Sequence, residues 1–551
     1  MRQITHFVTF GNFELDKNNI KDIKESDGSI YKIFALDGLT KGCDVEYFYT
    51  FKRSTSFFGR EVVQSSFPII KSVFRIVKPE RLRFEIRPYN CQVNIVDTLI
   101  GKKKISQCVL EDTPGAEDEK YAFYDANLKR LEFKLCYNDA IQKGERFFTW
   151  NELVKKVYSM YTFYSDKEVK KVQDIVKTNG WDAIDGEVKK IIAIENYVKK
   201  TYAYDKDLKS EDAVKLETVL QNKAGGIIGT VRLYSAIFQN LGINYQFVLT
   251  GDRSKFIIDK DFENWDNCDY PLFYFPAEKK YIAPTRPDYR YPLVNPTWGE
   301  TNGLYCKTMS IGNFFTAIAD VRNIPLEDYR KSYDNIESHL ELNTNLDSIT
   351  IDAKQIFGGY PAVGYRDAFN YSNEEQRKAI VKDMAKMVSS TDHILFSEAL
   401  NKDFEDADKD FIMHTKTKSG ELIEKAGNKL LIKIGLAIGP QVEMYQEKPR
   451  QEQVNIDFGH VEKRTIELVI PDGYVISNLN DLKIDQTYTE NGEETMGFVS
   501  GYEIKGRVLT VNIMELYAKT AYPLAQFDQF RKIINASSDF SKVVLVLEKK
   551  S

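Results

Sequence analysis

The chain has 551 residues, more than a single hydrophobic core fills, so roughly three or four domains of about 100–200 residues are expected. Apolar residues make up 42% and charged residues 28% of the chain, which is a globular composition. The net charge is only −5 and there is no basic block, which argues against binding to nucleic acid. No stretch approaches the ~20 apolar residues of a membrane helix, and the N-terminus lacks the apolar segment of a signal peptide, so none is expected in this sequence.

Six cysteines are present and none belongs to a CxxC pair, so a zinc site is not expected. In an oxidising compartment the first four would be able to form disulfides; we favour buried free thiols. The glycine-rich stretch 223–229 lacks the Gly-Lys-Ser/Thr of a P-loop and a dinucleotide fingerprint, so no metal or cofactor is expected. The cysteines are Cys43, Cys91, Cys108, Cys136, Cys268 and Cys306.

Residues 1–150 are predicted to form an N-terminal β-sandwich. The segments Leu82–Arg87, Leu131–Leu135 and Val45–Phe51 alternate apolar residues with others, mostly charged in the first two. This alternation predicts half-buried strands that keep one face in water. Residues 111–120 are acidic and contain Pro-Gly, and are predicted to be a polar loop.

Residues 151–330 are predicted to form an α+β domain. Helical periodicity marks residues 166–177, 185–202 and 213–220, and short strands are predicted at 245–250, 272–275 and 280–282.

The remainder is predicted to return to β structure. Residues 331–440 form a β region with one helix at 374–388, and residues 441–551 form a C-terminal β domain, together a sandwich-like region. Strands are predicted at 430–434, 465–470, 508–512 and 543–547.

One helix organises the central domain. It follows the glycine turn Gly225–Gly226 and ends at Gly242. Free N–H groups and the positive end of the dipole make such a helix start a place for a nucleophile or an anion. Its first position is instead Ile227, an alkyl side chain that can do no chemistry. One apolar face is predicted to pack into the core; it consists of Ile227, Val231, Tyr234, Phe238 and Leu241.

The central domain resembles the transglutaminase-like superfamily, whose fold is papain-like α+β. In that family the catalytic Cys opens a buried helix, a His begins one strand, and an Asp precedes Pro-Thr at the end of the next. Lys223–Ile243 resembles the Cys helix, Tyr270–Pro276 the His strand and Tyr281–Thr285 the Asp strand.

The flanking regions extend this resemblance over nearly the whole chain. Residues 43–90 resemble the β domain that precedes such domains in secreted Bacteroidetes proteins, and residues from 434 onward resemble the β domain that follows them. The resemblance implies a periplasmic or cell-surface location, although the absence of a signal leaves a cytoplasmic one open. It also implies that the chain is incomplete at its N-terminus.

The catalytic triad that the resemblance implies is degenerate in this sequence. The Cys, His and Asp positions align with Ile227, Tyr270 and Ala283, none of which supplies a thiolate, an imidazole or a carboxylate. An observation that is independent of the alignment agrees, because no histidine lies between residues 7 and 338. No register of the central domain therefore contains a Cys–His pair.

Aromatic residues and an arginine cluster in sequence around the degenerate groove. Such side chains suit stacking on sugars or gripping a peptide; alternatively, they refill the cleft as core. The candidates for a binding groove are Trp265, Tyr270, Tyr281, Arg286, Tyr289 and Trp298.

The sequence therefore predicts a non-catalytic protein that acts as a binding or structural module for a protein, peptide or glycan. One alternative is a cysteine-independent hydrolase or acyltransferase that uses the groove through Tyr270, Asp269 and Arg253. Another is a carbohydrate-binding accessory protein.

Overall fold

The computed structural model describes residues 20–24, 30–34, 52, 56–141, 144–210, 212–311, 314–445 and 449–550. The chain divides into two units, Met1–Gly59 and Arg60–Ser551. In the first unit, β1 (Ile20–Lys24) and β2 (Ile30–Phe34) pair antiparallel. The strand predicted at Val45–Phe51 and Cys43 lie outside the described residues.

Two three-stranded sheets and a short helix follow, so the predicted β region is confirmed over the described part of residues 58–138. The sheet orders are β3-β8-β5 and β4-β7-β6. The first three residues of the predicted polar loop at 111–120 instead complete β7. The elements are β3 (Phe58–Val62), β4 (Ile69–Pro79), β5 (Leu82–Tyr89), β6 (Val96–Ile100), β7 (Lys103–Thr113), α1 (Tyr124–Asn127) and β8 (Arg130–Asn138).

The expectation that strand β8 keeps a charged face in water is wrong. Glu132 and Lys134 are both fully buried. Lys134 Nζ donates to Glu263 Oε2 at 2.7 Å, and Glu132 Oε2 accepts from Asn264 Nδ2 at 2.6 Å. The charged face is therefore covered by residues of the central domain that lie about 130 residues away in sequence, while the charge of Glu132 is also balanced within β8 by an ion pair with Arg130.

The helices of the central domain form one layer. The three predicted helices are confirmed with small shifts of their ends, and an additional one begins at Trp150. Capping boxes start the first two, at Thr149–Glu152 and Ser165–Glu168. The helices are α2 (Trp150–Thr162), α3 (Asp166–Asn179), α4 (Glu187–Thr201), α5 (Leu216–Asn222) and α6 (Ile227–Asn240).

A five-stranded antiparallel sheet of order β13-β12-β11-β14-β15 packs against this helical layer. Its first three strands were predicted, whereas the long hairpin β14–β15 was not. A separate parallel pair, β9 with β10, precedes α6. The strands are β9 (Ala203–Tyr204), β10 (Ala224–Gly225), β11 (Gln246–Thr250), β12 (Tyr270–Phe275), β13 (Lys280–Ile282), β14 (Thr301–Ile311) and β15 (Phe314–Ile324).

The C-terminal part is built on an eight-stranded sheet of order β18-β19-β17-β16-β23-β27-β26-β25. Strands of both predicted regions, 331–440 and 441–551, belong to this single sheet. Strand β16 runs parallel to β23, and the other neighbours are antiparallel. The first half contains β16 (Tyr333–Leu342), β17 (Ile349–Gly358), α7 (Tyr360–Tyr371), α8 (Glu374–Ser389), β18 (Ile394–Leu400), β19 (Phe411–Ser419), β20 (Ile423–Ala426) and β21 (Lys429–Ile432).

The second half adds the last helix and two smaller sheets, of order β20-β21-β29-β24 and β22-β28. Its elements are β22 (Val454–Asn455), β23 (His460–Val469), β24 (Tyr474–Ile476), β25 (Ile484–Glu490), β26 (Glu493–Lys505), β27 (Val508–Tyr517), β28 (Ala521–Tyr522), α9 (Phe527–Ser541) and β29 (Leu545–Lys549). Within the described ranges, no helix combines the length and the apolar character needed to cross a membrane.

The buried ion pair between Lys134 and Glu263 allows a test of how β8 is attached to the central domain. Glu263→Gln leaves the fully buried Lys134 ammonium without its carboxylate, and should lower the free energy of unfolding by about 3 kcal/mol. Urea unfolding followed by circular dichroism measures this loss. The control is Glu111→Gln, at a carboxylate that is 63% exposed in its ion pair with Lys71 and should matter little. Equal midpoints for the two variants would contradict the assignment.

Candidate functional site

The start of helix α6 lies where the sequence places it. Gly226 is the N-cap residue, without a side-chain cap, and Ile227 is the first helical residue. The first turn is closed by the Thr230 amide, which donates to the Gly226 carbonyl at 2.9 Å. The backbone here has the geometry of a helix start at which a nucleophile would fit. The side chain at that position is the partly buried alkyl group of Ile227.

The glycines of this turn are required by close packing. A Cβ at Gly226 would collide with the carbonyl oxygen of Leu208, and one at Gly229 would lie 2.6 Å from both the Ala213 carbonyl oxygen and Val219 Cγ2. Only a residue without a side chain fits at either position. The glycines before and within the first turn of α6 are therefore explained by the close packing of neighbouring segments around this helix.

Most of α6 is buried, as its apolar face predicts. Val231, Tyr234 and Phe238 are completely inaccessible, whereas Leu241 is the C-cap residue and only partly buried. The rings of Tyr234 and Phe238 both pack on Phe273 of β12. Tyr234 Oη is also buried and has no hydrogen-bond partner among the described residues.

Tyr270 begins β12 and stacks on Trp298, with the ring centroids 4.1 Å apart and the planes 16° from parallel. The Arg286 guanidinium lies 5.6 Å from the Trp298 ring and 4.8 Å from that of Tyr289. Arg286 also forms an ion pair with Asp288. Four of the predicted groove residues are therefore gathered in one stack, at the face of the sheet away from α6.

Ala283 immediately follows β13 and is completely buried. Strands β12 and β13 pair antiparallel, with Phe273 opposite Ile282. Tyr270 and Ala283 consequently belong to the same small core on one face of the sheet, a core that also contains Trp298. The assignment of Ile227, Tyr270 and Ala283 to triad positions remains a prediction.

Two other groove candidates are not part of this stack, although Tyr281 belongs to the same core as Trp298. Trp265 packs with the helical layer, and its Nε1 donates to the Phe148 carbonyl at 3.1 Å. Tyr281 is 4% exposed, and its hydroxyl lies 2.6 Å from that of Tyr305. Both side chains make contacts within the chain itself, and their role in binding a ligand remains a prediction.

A cavity of about 340 Å³ lies beside the start of α6. It brings together Thr230, in the first turn of α6, and Pro284, which follows Ala283. We call it the lysine pocket, because its lining includes Lys199, Lys200 and Lys223, together with Tyr202, Tyr204 and Tyr371.

The three lysines of the pocket differ in their surroundings. Lys199 Nζ is buried and donates to Glu195 Oε1 at 2.6 Å and to the Tyr289 carbonyl at 2.7 Å; burial lowers its pKa to about 8, against the opposing effect of Glu195. Lys200 pairs with Glu405 at the surface. Lys223 is exposed, and no ion pair engages it among the described residues.

The sequence analysis did not single out these pocket residues. Lys199 and Lys200 lie in the last turn of α4, where lysines are common in any helix because a cation there interacts favourably with the helix dipole. Lys223 directly precedes the glycine turn that leads into α6. The three lysines have in common only that they line one cavity. Their spacing in the sequence does not predict this arrangement.

The thiols of the central domain are not activated. Cys268 keeps some accessible surface, but it packs against the helical core, and burial raises the pKa of its thiol well above the usual range. Cys306 is 1% exposed, and burial raises the pKa of its thiol as well. Because the thiolate is the reactive form of cysteine, neither side chain is suited to act as a nucleophile near neutral pH.

The residues of the hydrolase alternative do not converge on a reactive group. Arg253 is buried, and its Nη2 donates to the carbonyls of Ile456 at 2.9 Å and Asp457 at 2.6 Å. Burial raises the pKa of the Tyr270 phenol and of the Asp269 carboxyl. The guanidinium is thus already engaged, and the phenol is harder to ionise than free tyrosine.

With this geometry in place, comparison with known proteins assigns the central domain. A model of the transglutaminase-like superfamily matches residues 176–291, a span that contains Ile227, Tyr270 and Ala283. The chain carries a transglutaminase-like domain. No curated protein matches the sequence.

Two solved structures are similar to the chain. A "putative protease" from Parabacteroides distasonis matches with a TM-score of 0.54 and 10% identity, over 97% of this chain and 86% of that chain. A "putative cysteine protease" from Cytophaga hutchinsonii matches with a TM-score of 0.20 and 10% identity, over 49% of this chain and 90% of that chain. At 10% identity the first match shows a similar fold and nothing about function. The TM-score of the second match is too low to support even a shared fold.

The unpartnered hydroxyl of Tyr234 yields a stability prediction for the transglutaminase-like domain. Tyr234→Phe removes a buried polar group that has no hydrogen bond, and should raise the free energy of unfolding by about 1 kcal/mol. The matched control is Tyr245→Phe, which removes a hydroxyl that lies 2.6 Å from Ser235 Oγ and should lower stability. Thermal and urea unfolding of both variants measure the difference. Destabilisation by Tyr234→Phe would contradict the assignment.

Proposed function

We propose that the chain is a non-catalytic transglutaminase-like protein that binds an acidic peptide segment at the lysine pocket. The observation that carries the proposal is the start of α6, where Ile227 occupies the first helical position. No residue from 7 to 338 is a histidine. Acyl transfer through a thiolate needs both a nucleophile and an imidazole to activate it, and this domain offers neither at its helix start.

The retained scaffold supports binding. Close packing at Gly226 and Gly229 preserves the helix start and the pocket beside it, whatever the side chain at position 227. The pocket volume of about 340 Å³ lies at the lower end of the range found for small-ligand sites. That is room for one or two side chains of a peptide.

The charge of the pocket favours a carboxylate. Lys199 and Lys200 already have acidic partners, which leaves Lys223 as a lining ammonium that no ion pair engages in the described part of the chain. The phenol groups of Tyr204 and Tyr371 line the same cavity and add hydroxyl donors and ring surface. A side-chain or terminal carboxylate of a peptide would be the complementary group.

The hydrolase alternative has weaker support. The Tyr270 ring stacks face to face on Trp298. Burial raises the pKa of its phenol, which is therefore even harder to ionise than free tyrosine. Arg253 Nη2 donates to two backbone carbonyls of the C-terminal part. Neither side chain is placed to take up or release a proton during hydrolysis.

A turnover assay with thiol labelling tests the absence of catalysis. The purified chain is incubated with fluorogenic peptide amides and with glutamine-peptide and amine pairs. We expect no product above the buffer blank, and iodoacetamide should label Cys268 and Cys306 far more slowly in the folded than in the urea-unfolded chain.

The assay has a defined contrary outcome. Turnover that is lost in Tyr270→Phe but kept in Tyr445→Phe, at a side chain that is 69% exposed, would support the hydrolase instead. Turnover that ends when Cys268 is labelled would also reject the non-catalytic assignment.

Binding is tested with a fluorescein-labelled hexapeptide of alternating Glu and Phe that has a free C-terminus. Lys223→Glu reverses the charge at the pocket and should weaken binding about tenfold, which corresponds to about 1.4 kcal/mol. Fluorescence anisotropy measures the affinity.

The matched control is Lys354→Glu, which makes the same charge change at an exposed residue of β17. An amidated peptide with Gln in place of Glu should bind weakly to every variant. Equal affinities of Lys223→Glu and Lys354→Glu for the acidic peptide would remove the lysine pocket as the binding site.

A further inference from the structure

A second cavity, of about 350 Å³, lies in the C-terminal part of the chain, between helix α9 and the ends of strands in the middle of the eight-stranded sheet. We call it the strand-end cavity, because its polar side consists of residues at the ends of β16, β23 and β27. Its apolar side includes Ile438, Val442, Phe530 and Ile534. The sequence analysis named none of these residues.

Strand register places three carboxylates side by side in this cavity. Tyr333 of β16 pairs with Val461 of β23 in parallel, which sets Asp334 beside Glu462. Glu462 in turn lies directly opposite Glu515 of β27. All three acids line the cavity. Like charges on directly neighbouring strands destabilise a sheet unless a cation compensates them.

Among the described residues that line the cavity, Arg464 is the one arginine or lysine available to the three acids. Arg464 is 5% exposed; its Nη1 donates to Glu515 Oε2 at 2.9 Å, and its Nη2 hydrogen-bonds Glu462. Glu515 is further held by the hydroxyls of Tyr517 at 2.9 Å and Ser537 at 3.1 Å. Two carboxylates therefore share the guanidinium, and the third remains outside this network.

That third carboxylate is Asp334. It faces the cavity, and in the described part of the chain it forms neither a hydrogen bond nor an ion pair. Burial raises the pKa of both Asp334 and Glu462; the Glu462 carboxylate adds to the rise at Asp334, and Glu515 adds to the rise at Glu462, while Arg464 opposes both. The cluster is also unsatisfied at a second point, because Arg464 Nε is buried and has no hydrogen-bond partner among the residues that the structure describes. An ionised carboxylate in such a place is costly without a counter-charge.

We propose that the strand-end cavity binds a small organic cation, whose ammonium group pairs with Asp334 and Glu462 while its hydrocarbon part packs on Phe530 and Ile534. The phenol rings of Tyr121 and Tyr365 line the same cavity and add favourable cation–π contacts. A metal ion fits less well, since no group of three or more His, Cys, Asp or Glu in the described ranges is arranged to hold one.

Titration calorimetry with butylammonium chloride tests the proposal. The matched probes are 1-butanol, which has a similar chain without the charge, and sodium butyrate, which has the opposite charge; potassium chloride equalises the ionic strength. We expect saturable binding and a rise in Tm with butylammonium alone. No binding of butylammonium, or equal binding of 1-butanol or butyrate, would overturn the proposal.

Asp334→Asn locates the site, because it keeps the shape of the side chain and removes the charge of a carboxylate that has no partner to lose. Affinity for butylammonium should fall at least tenfold. The control is Asp485→Asn, at an exposed residue of β25 in the same sheet, which should bind like the unaltered chain. Unchanged affinity in Asp334→Asn would overturn the assignment.

The pH profile of the unaltered chain is an independent measurement. Raised pKa values mean that the carboxyl groups take up protons before ordinary acids do as the pH falls. Affinity for butylammonium should therefore decrease between about pH 8 and about pH 5; a flat profile would contradict the pairing. The titratable or charged groups that line this cavity around Asp334 are Tyr121, Tyr365, His460, Glu462, Arg464, Glu515 and Tyr517.

Discussion

The enclosure of helix α6 is the constraint on which the central domain depends. The helix packs against α2, α3 and α5 on one side and against the five-stranded sheet on the other. Chain segments before it approach so closely that Gly226 and Gly229 have no room for a Cβ. This packing does not involve chemistry at position 227, so the scaffold of the transglutaminase-like domain accommodates an isoleucine as the first residue of α6.

Buried cations hold the regions of the second unit together. Lys134 of β8 binds Glu263 of the central domain, and Arg253 of the central domain binds the carbonyls of Ile456 and Asp457. Arg450 donates to the carbonyls of Lys120 and Tyr121, and so ties the C-terminal part to the N-terminal sheets. A guanidinium has five donors in a rigid fork, which suits it to satisfy several carbonyls at once. In the strand-end cavity, by contrast, three carboxylates line the same space as one guanidinium.

Prediction from the sequence succeeded where local patterns decide structure. The helical spacing of Val231, Tyr234 and Phe238 is confirmed as a buried face. The capping box Thr149–Glu152 is a local signal for the start of α2. In β8 the alternation correctly marked a strand, but Glu132 and Lys134 are buried by partners that are distant in sequence. Local alternation predicts which side chains share a face of a strand. It does not predict whether another domain covers the charged face, because that depends on tertiary packing.

By itself, the sequence determined the class of the central domain and the absence of a Cys–His pair, because both depend on which residues are present and on their order. Tertiary structure alone decided that Trp265 and Trp298 belong to different cores and that three lysines share one pocket. It also decided that Asp334, Glu462 and Glu515 lie side by side. Strand pairing brings residues more than 100 positions apart into contact, and no local periodicity encodes that register.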